Sequence, residues 1–374
     1  MIADLALQRS KYKHLTDDEW RWFLQQVEGR ERTAEKLPTF AAIEDWWYPV
    51  RLSCEQCSSE LTARYKASLV SSETMVDLTG GYGVDTYFLS EQFAHTDYVE
   101  QNAELCRIAE HNKGLWVTGY GLREISVHNT SAEEFLASAG EYDLIFIDPA
   151  RRDSHGGKVF RLEDCTPNVV DLLPTLLAHG KRVMIKLSPM LDLTQAVKEL
   201  SAFSTQWSVY VVAIKNEVKE LLLLSGGSGR ITAIDLAKKE QVFVFSKEEE
   251  QKAQSAIGHL PLEIGNFIYE PSAAILKAGA YKLVAERFGL HKLDINTHLY
   301  ASDTLVPDFP GRIWKIVEKQ DLKQANVLTR NYPLTPEQLK KKLHLRDGGT
   351  AYVIGCRVAG KPTLFFAERM EDIH

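Results

Sequence analysis

The middle of the chain alternates between two hydrophobic patterns. Short apolar runs, typical of buried strands, are separated by longer stretches whose apolar residues recur at helical spacing. The predicted strands are 75–78, 97–100, 125–127, 144–147, 182–187, 209–214 and 221–224. The helices predicted between them are 84–92, 102–112, 131–139, 166–179 and 192–201. This alternation predicts a doubly wound α/β sheet, whose ligands bind at the carboxyl ends of the strands.

The N-terminal part has mainly helical periodicity. Thr16 is followed three residues later by Glu19, which is the pattern of a helix-capping box. A further helix is predicted from Glu55 to Leu69, directly before the first strand. We therefore predict a helical N-terminal region, residues 1–70, with a helix that covers the strand ends.

The C-terminal part changes pattern again. Its predicted elements are helices at 273–288 and 335–343 and strands at 352–358 and 363–367. The two strands flank a Gly- and Pro-containing turn, as in a β-hairpin. We therefore predict a small α+β domain over residues 262–374, after an α/β domain over residues 71–246.

Composition restricts the class of protein. Hydrophobic residues form 44% of the chain, yet no apolar run approaches the roughly 20 residues of a membrane span. The start of the chain lacks the pattern of a signal peptide. The five cysteines are odd in number and scattered, and Cys54 and Cys57 have no second pair that would complete a zinc site. We predict a cytoplasmic protein with no metal and no membrane partner.

Charge is distributed unevenly between the two ends. The whole chain has a formal net charge of −7, but residues 271–374 contain 16 Lys and Arg against 11 Asp and Glu, a net of +5. The remaining 270 residues have a net charge of −12. A basic C-terminal domain is compatible with a nucleic-acid partner and equally with ordinary surface variation.

A glycine-rich turn connects the first strand of the α/β domain to its first helix. The turn contains Gly80, Gly81 and Gly83. Strand, glycine turn and helix form a geometry that brings bare backbone and a helix N-terminus up to a ligand.

Three ligand classes compete for this turn. A P-loop would need Lys and Ser or Thr after the glycines, where Val84 and Asp85 stand. A nicotinamide fingerprint would need a further glycine at the position of Thr86. Asp77 precedes the turn, and its charge suits a cationic ligand and would repel a pyrophosphate. The turn therefore favours S-adenosylmethionine.

Polar residues follow the neighbouring strands at the same edge. Glu100 has the position of an acid that accepts hydrogen bonds from ribose hydroxyls. Asn129 and Ser131 follow the third strand, where an adenine edge would lie. Asp148 follows the apolar strand 144–147, and Lys186 ends the next strand on the same side. These positions surround the mouth of one ligand crevice.

The span from about residue 55 to 225 resembles class I S-adenosylmethionine-dependent methyltransferases. Asp77-Leu-Thr-Gly-Gly-Tyr-Gly83 is similar to their first motif, with Thr79 in place of the usual first glycine. Threonine here with a later aspartate, Asp85, resembles the variant of some ribosomal RNA guanine methyltransferases. The resemblance implies a Rossmann-like methyltransferase sheet. The cofactor-binding residues that it and the strand-end positions predict are Asp77, Thr79, Gly80, Gly81, Gly83, Asp85, Glu100, Asn129, Ser131 and Asp148.

The segment after the fourth strand departs from the family pattern. Asp148-Pro149 matches the start of the family's Asp-Pro-Pro-Tyr/Phe motif, in which the acid and the proline carbonyl hold a target amine and the aromatic residue stacks on the base. Here Ala150 and Arg151 replace the second proline and the aromatic residue. An arginine plane stacks on a base or binds a phosphate or carboxylate. The predicted catalytic residues are Asp148, Pro149, Arg151 and Arg152.

The complete arrangement resembles uncharacterised bacterial methyltransferase-like proteins with a THUMP-like C-terminal domain, here opening with Tyr269-Glu-Pro-Ser-Ala-Ala-Ile-Leu-Lys277. The resemblance implies an S-adenosylmethionine-dependent methyltransferase. RNA is the expected substrate and the expected partner of the basic domain. The alternatives are methylation of a small molecule or a protein, and a non-catalytic module that binds S-adenosylmethionine or RNA. The methylated atom and the oligomeric state stay open.

Overall fold

The structure is a computed structural model that describes residues 9–120, 124–151, 162–201, 203, 206–237, 241–254, 265–319 and 321–370. The chain forms two compact units. The first comprises Met1–Trp207 and Leu222–Ser228, and the second comprises Ser208–Leu221 and Gly229–His374. The domain boundaries drawn from the sequence at 1–70, 71–246 and 262–374 stay predictions.

Within the described residues, the first unit begins with a short 3-10 helix, Arg9–Tyr12, and four α-helices follow it. They are α1 (Asp17–Thr33), α2 (Pro38–Ala42), α3 (Arg51–Gln56) and α4 (Glu60–Ser68). The capping box predicted at the start of α1 is confirmed, because the Thr16 hydroxyl accepts from the Glu19 backbone N–H and the Glu19 carboxylate accepts from the Thr16 backbone N–H.

The prediction of a single helix over residues 55–69 is wrong. The backbone leaves the helical conformation at Cys57, and a new helix begins after Ser59, whose hydroxyl accepts the Thr62 N–H. A serine that binds the N–H three residues later favours a helix start, so it divides the segment into α3 and α4. The break places residues 57–59 in extended backbone between the two helices.

Five strands of the first unit pair in parallel with their neighbours. These strands and the short strands that accompany them are β1 (Ser72–Asp77), β2 (Phe93–Val99), β3 (Glu124–His128), β4 (Tyr142–Ile147), β5 (Ala150–Arg151), β6 (Cys165–Thr166) and β7 (Gly180–Leu187). The order is β7-β4-β1-β2-β3, with parallel pairing of β4 with β7, β1 with β4, β1 with β2 and β2 with β3. The order reverses between β1 and β4, and such a reversal is where open α/β sheets bind ligands.

Helices connect these strands as the periodicity predicts. They are α5 (Val84–Ser90), α6 (Ala103–Tyr120), α7 (Ala132–Leu136), α8 (Val169–His179) and α9 (Leu193–Ser201). The predicted α/β fold is confirmed, with element bounds that differ from the prediction by a few residues at most ends and by more at the end of α6.

An aromatic core joins the N-terminal helices to α5. Phe40 stacks on Phe88 with ring centroids 5.7 Å apart and lies 4.3 Å from Trp46. The Trp46 indole N–H donates to the Tyr82 hydroxyl at 3.0 Å. Because Tyr82 belongs to the glycine turn, this core holds the turn and the N-terminal helices together.

The second unit begins with strands that continue the α/β pattern. They are β8 (Trp207–Ile214), β9 (Glu217–Ser225, shared between the units), β10 (Ile231–Asp235) and β11 (Gln241–Phe245), followed by α10 (Lys247–Lys252). β10 pairs in parallel with β8 and antiparallel with β11.

A seven-stranded sheet forms the rest of the second unit. Its strands are β12 (Phe267–Pro271), β13 (His291–Asp294), β14 (Thr297–Ser302), β15 (Gly311–Val317), β16 (Asn326–Arg330), β17 (Ala351–Val358) and β18 (Lys361–Arg369). The strand order is β13-β14-β12-β15-β18-β17-β16. The predicted hairpin is confirmed as the antiparallel pair β17–β18.

In the described part of the second unit, three helices accompany this sheet, and one prediction about them is wrong. They are α11 (Ala273–Ala278), α12 (Leu283–Phe288) and α13 (Pro336–Leu343). The helix predicted over 273–288 is two helices, because Gly279 adopts a left-handed conformation with φ of 84° and ends α11. Within the described ranges, no helix combines the length and the apolar character needed to cross a membrane.

Candidate active site

A cavity of about 340 Å³ lies in the first unit, where β1, β2, β4 and β7 end. Its walls come from the glycine turn, the loop after β2, the start of α7 and the segment 53–58. Its volume lies within the usual range for small-molecule sites. The sequence-predicted ligand edge and the cavity therefore coincide.

The glycine turn lies flat against aromatic rings. A Cβ atom on Gly80 would lie 2.2 Å from the Tyr98 ring, and one on Gly83 would lie 2.7 Å from the Tyr87 ring. The Tyr98 hydroxyl donates to the Gly81 carbonyl at 2.6 Å. Side chains are excluded on this side of the turn, and Gly80, Gly81 and Gly83 all line the cavity on the other.

Asp77 is buried at the end of β1 and already has two donors. Its carboxylate accepts the Thr79 N–H at 2.9 Å and the Thr86 hydroxyl at 2.6 Å. Burial raises the pKa of Asp77 to about 7, although both hydrogen bonds oppose the change. The Thr79 hydroxyl also accepts the Asp148 N–H at 2.7 Å. Thr79, the departure from the family's glycine, thus connects the loops after β1 and β4.

Glu100 lies against the glycine turn. Its carboxylate accepts the Gly81 N–H at 3.0 Å and the Asn102 N–H at 2.8 Å, and it lines the cavity. Asn129 donates to the Glu100 carbonyl at 2.9 Å and is not among the lining residues. Ser131 lines the cavity and caps α7 by accepting the Glu134 N–H. Asn129 therefore fastens the loop that carries Glu100.

Two lysines and two aspartates form an ion cluster at the end of β7. Lys186 Nζ lies 2.6 Å from Asp148 Oδ2, 3.0 Å from Asp85 Oδ2 and 3.0 Å from Ser58 Oγ. Lys66 Nζ lies 3.1 Å from Asp85 Oδ1. We call Lys66, Asp85, Lys186 and Asp148 the lysine–aspartate cluster.

The cluster is graded in burial. The Lys66 side chain is 0% exposed and that of Asp85 is 9% exposed, whereas that of Asp148 is 37% exposed. Burial alone would raise the pKa of Asp85, but the ammonium groups of Lys186 and Lys66 outweigh it and hold this pKa below its ordinary value. The two cations match the two carboxylates, and the exposed end of the cluster is a carboxylate.

Sequence reasoning named Asp85, Asp148 and Lys186 but missed Ser58 and Lys66. A signal for Lys66 exists in α4, where it shares the buried face with Thr62, Ala63 and Ala67. A lysine on an otherwise uncharged buried face predicts a buried anionic partner.

The remaining predicted catalytic residues are placed differently. Pro149 is buried, and Arg151 lies in β5, which pairs antiparallel with β6. Arg152 lies outside the described residues. The β5–β6 pairing brings Thr166 and Pro167 to the cavity wall, which the sequence did not predict.

The second unit contains a different ion cluster. Glu270, 2% exposed, pairs through one carboxylate oxygen with Arg312 and through the other with Arg330, whose Nε lies 2.5 Å away. The side chains of Arg312 and Arg330 are 31% and 38% exposed. We call these three residues the glutamate–arginine cluster.

The fold and the cavity define an α/β protein with a ligand crevice at the reversal of its strand order. A crystal structure from Porphyromonas gingivalis W83, whose methyltransferase assignment is inferred, matches with a TM-score of 0.86, at 32% identity over 96% of this chain and 92% of that chain. Two uncharacterized S-adenosylmethionine-dependent methyltransferases from strains of Mycobacterium tuberculosis are each 22% identical over 352 residues, covering 90% of this chain and 92% of theirs. The chain belongs to the S-adenosylmethionine-dependent methyltransferases.

The C-terminal part matches two family models. A ferredoxin-like domain matches residues 267–310, and a THUMP domain-like model matches residues 310–369. The predicted small THUMP-like domain is confirmed by these matches. The protein is therefore an enzyme with S-adenosylmethionine as cofactor and a THUMP-like C-terminal part.

The cavity walls fit this cofactor. Its sulfonium and ammonium charges suit a cavity with the carboxylates of Glu100 and Asp148 in its walls. Its ribose hydroxyls suit an acceptor such as Glu100, and Leu105 and Phe146 offer apolar surface to the adenine. The contacts of individual residues with the cofactor stay predictions.

Proposed function

We propose that this methyltransferase modifies RNA, and that Asp148 holds the acceptor group in the active site. The observation that carries the catalytic part is the position of Asp148, which lines the cavity and is the most exposed member of the lysine–aspartate cluster. Asp148 Oδ1 has no hydrogen-bond partner among the described residues. It is therefore available to accept from an N–H or O–H group.

S-adenosylmethionine supplies an electrophilic methyl group on its sulfonium when it is bound. Glu100 and the backbone of the glycine turn would hold the cofactor. Asp148 would accept a hydrogen bond from the acceptor and so orient the acceptor's lone pair toward the methyl group, and Thr79 fixes the Asp148 backbone. Most of the rate enhancement then comes from positioning. Transfer would form a bond between the acceptor and the methyl carbon and break the methyl–sulfur bond, with S-adenosylhomocysteine as the leaving group. The acceptor's proton would pass to solvent after transfer to an amine, or to Asp148 during transfer to a hydroxyl.

The second unit supports RNA as the substrate. Residues 271–374 have a net charge of +5, and residues 310–369 match a THUMP domain-like model. The glutamate–arginine cluster presents two partly exposed guanidinium groups for one buried carboxylate. Planar guanidinium groups bind phosphate bidentately, and they also stack on bases. We further propose a cytoplasmic location, which agrees with five free cysteine thiols.

The test is transfer of a labelled methyl group from S-adenosylmethionine to an extract of cells that lack the protein. We expect label in the RNA fraction and none above background in protein or metabolite fractions. Label found only in the protein or metabolite fraction would mean that the substrate is a protein or a small molecule rather than RNA. Cofactor binding without transfer to any fraction would favour a binding module.

Two variants separate the cofactor site from the acceptor site. We expect Glu100→Ala to weaken S-adenosylmethionine binding in calorimetry, whereas Glu104→Ala, which removes an exposed partner of Arg107, serves as the matched control. We expect Asp148→Asn to retain cofactor affinity and to reduce transfer strongly, to a residual rate that can still be measured. Full transfer by Asp148→Asn would refute the proposed role of Asp148.

A further inference from the structure

We propose that Lys186 is a positioning residue that sets the orientation of the Asp148 carboxylate toward the methyl acceptor. The inference rests on the proposed role of Asp148 and adds the group through which that role depends on the buried part of the site. Lys186 itself lines the cavity, and we assign its effect on transfer to its contact with Asp148 rather than to a contact with the acceptor.

Lys186 contacts one of the two carboxylate oxygens of Asp148. Its Nζ lies 2.6 Å from Asp148 Oδ2, and Oδ1 has no hydrogen-bond partner among the described residues. The Asp148 backbone is fixed separately, because its N–H donates to the Thr79 hydroxyl at 2.7 Å. The contact with Thr79 thus fixes the main chain of Asp148, and the contact with Lys186 fixes its side chain. Together the two contacts set the direction in which Asp148 Oδ1 points.

Lys186 is itself held by buried groups. Its ammonium also lies 3.0 Å from Asp85 Oδ2 and 3.0 Å from Ser58 Oγ, and its side chain is 12% exposed. Asp85 is in turn paired with Lys66, which is fully buried in α4. The side chain of a lysine at the surface samples many rotamers and would hold a partner in place poorly. The contacts of Lys186 with Asp85 and Ser58 restrict its rotamers.

The arrangement also explains why a cation stands beside a site for a cationic cofactor. Lys186 is shared between two carboxylates, and Lys66 shares Asp85, so two positive and two negative side chains balance. The cavity therefore gains an ordered ion pair with no excess positive charge. A lone lysine at this place would repel the sulfonium.

A double-mutant cycle tests the inference. It compares wild type, Lys186→Met, Asp148→Asn and the double variant in transfer from labelled S-adenosylmethionine to whichever extract fraction accepts label from the wild type. We expect Lys186→Met to reduce transfer about 100-fold, the scale expected for a reacting group misplaced by about 1 Å. In the Asp148→Asn background, we expect the same substitution to change transfer less than about threefold, because it has no carboxylate left to position.

Cofactor affinity distinguishes positioning from cofactor binding. We expect Lys186→Met to change the Kd for S-adenosylmethionine by less than about threefold. The control is Lys181→Met on the same strand, whose ammonium pairs with Asp143 and whose side chain is 69% exposed. We expect wild-type transfer and affinity from it. A Kd that rises in proportion to the lost transfer, or an equal loss in both Asp148 backgrounds, would overturn the inference.

Two further results keep the test decisive. If Lys186→Met unfolds, Lys186→Arg replaces it in the cycle, because arginine keeps the charge and changes the geometry. A crystal structure of the Lys186 variant gives an answer that needs no acceptor: an Asp148 carboxylate unmoved from its wild-type position overturns the inference. Retained transfer by Asp148→Asn alone sinks the proposed catalytic role of Asp148, whereas strongly reduced transfer by Asp148→Asn with retained transfer by Lys186→Met sinks only the role of Lys186.

Discussion

Each unit of the protein contains a buried ion cluster, and the two clusters leave opposite charges exposed. In the lysine–aspartate cluster, Lys66 is fully buried and the carboxylate of Asp148 is 37% exposed. In the glutamate–arginine cluster, the carboxylate of Glu270 is buried and the guanidinium groups of Arg312 and Arg330 are about one third exposed. The first offers a hydrogen-bond acceptor to a cavity, and the second offers donors to solvent.

The two clusters also differ in their ratio of cations to carboxylates. The lysine–aspartate cluster has as many cations as carboxylates, whereas the glutamate–arginine cluster has two cations for one carboxylate. A balanced cluster suits a cationic cofactor and a neutral acceptor. A cluster with one surplus positive charge suits an anion such as phosphate. The comparison supports the proposal that the first unit carries the chemistry and the second attracts the substrate.

The largest expected effect is on the buried end of the first cluster. Lys66→Met removes the partner of Asp85 Oδ1 inside the protein. Breaking a buried pair leaves an uncompensated charge, so we expect the free energy of unfolding to fall by about 3–5 kcal/mol. Chemical denaturation measures it, with Lys181→Met as the surface control at about 0–1 kcal/mol. Equal costs for the two variants would contradict the contrast in burial.

The next largest effect is expected at Asp77, which we compare with Asp85 in the wall of the same cavity. Among the described residues no lysine pairs with Asp77, and burial raises the pKa of Asp77 to about 7, whereas lysines hold the pKa of Asp85 below its ordinary value. Between pH 4 and 7 the folded protein binds a proton at Asp77 that the unfolded chain does not, so this residue makes stability fall as pH rises. We expect Asp77→Asn to gain roughly 2–4 kcal/mol relative to wild type across that range.

Urea denaturation at several pH values measures this difference. Asp85→Asn serves as the opposite case, because its stabilising contribution is present above the ordinary aspartate pKa and is lost as the pH falls. We therefore expect the cost of Asp85→Asn to shrink in acid. A pH-independent difference between Asp77→Asn and wild type would show that Asp77 is ionised in the folded protein throughout.

A smaller effect is expected at the buried end of the second cluster. Glu270→Gln removes the shared partner of Arg312 and Arg330, but these side chains are partly exposed and can be rehydrated. We expect a loss of about 1–3 kcal/mol, less than for Lys66→Met. The same denaturation assay compares them, and a larger loss for Glu270→Gln would reverse the order that burial predicts.

The sequence predicted the parts of the fold that depend on local pattern. The run Leu144–Ile147 is buried as a strand, and the glycines lie in the turn because Gly80 and Gly83 have no room for a Cβ. It failed where one residue interrupts a periodic segment, as Ser59 does before α4 and Gly279 after α11. Periodicity averages over several residues, so a single cap does not alter it enough to be noticed.

The sequence also predicted part of the cavity, but for a different reason. Residues at strand ends, such as Glu100 and Asp148, could be assigned to one edge because parallel strands share their direction. The contact between Lys186 and Ser58 joins residues 128 positions apart and depends on how α3 and α4 pack above the sheet. No local sequence pattern predicts that packing, so the lysine–aspartate cluster could be identified only from the three-dimensional structure.

The smallest expected effect sharpens the contrast at the exposed end of the second cluster. Among the described residues, Arg312 Nε is buried without a hydrogen-bond partner, and Arg330 uses its Nε and Nη1 on Glu270 and the Thr329 carbonyl. The cluster thus retains donors after Glu270 is satisfied. If an RNA phosphate binds the exposed part of the Arg312 guanidinium group, Arg312→Gln should weaken RNA binding by about 1 kcal/mol and lower the slope of log K against log salt by about 1.

Filter binding of total cellular RNA across a salt series measures both quantities. Arg357→Gln is the matched control, since it removes the same charge from the same unit at a residue that donates to the Gly360 carbonyl rather than to Glu270. An identical change in slope for both variants would mean that the second unit attracts RNA by its net charge alone. A change confined to Arg312 would mean that the glutamate–arginine cluster contacts a phosphate, because only a local contact distinguishes two arginines of equal charge.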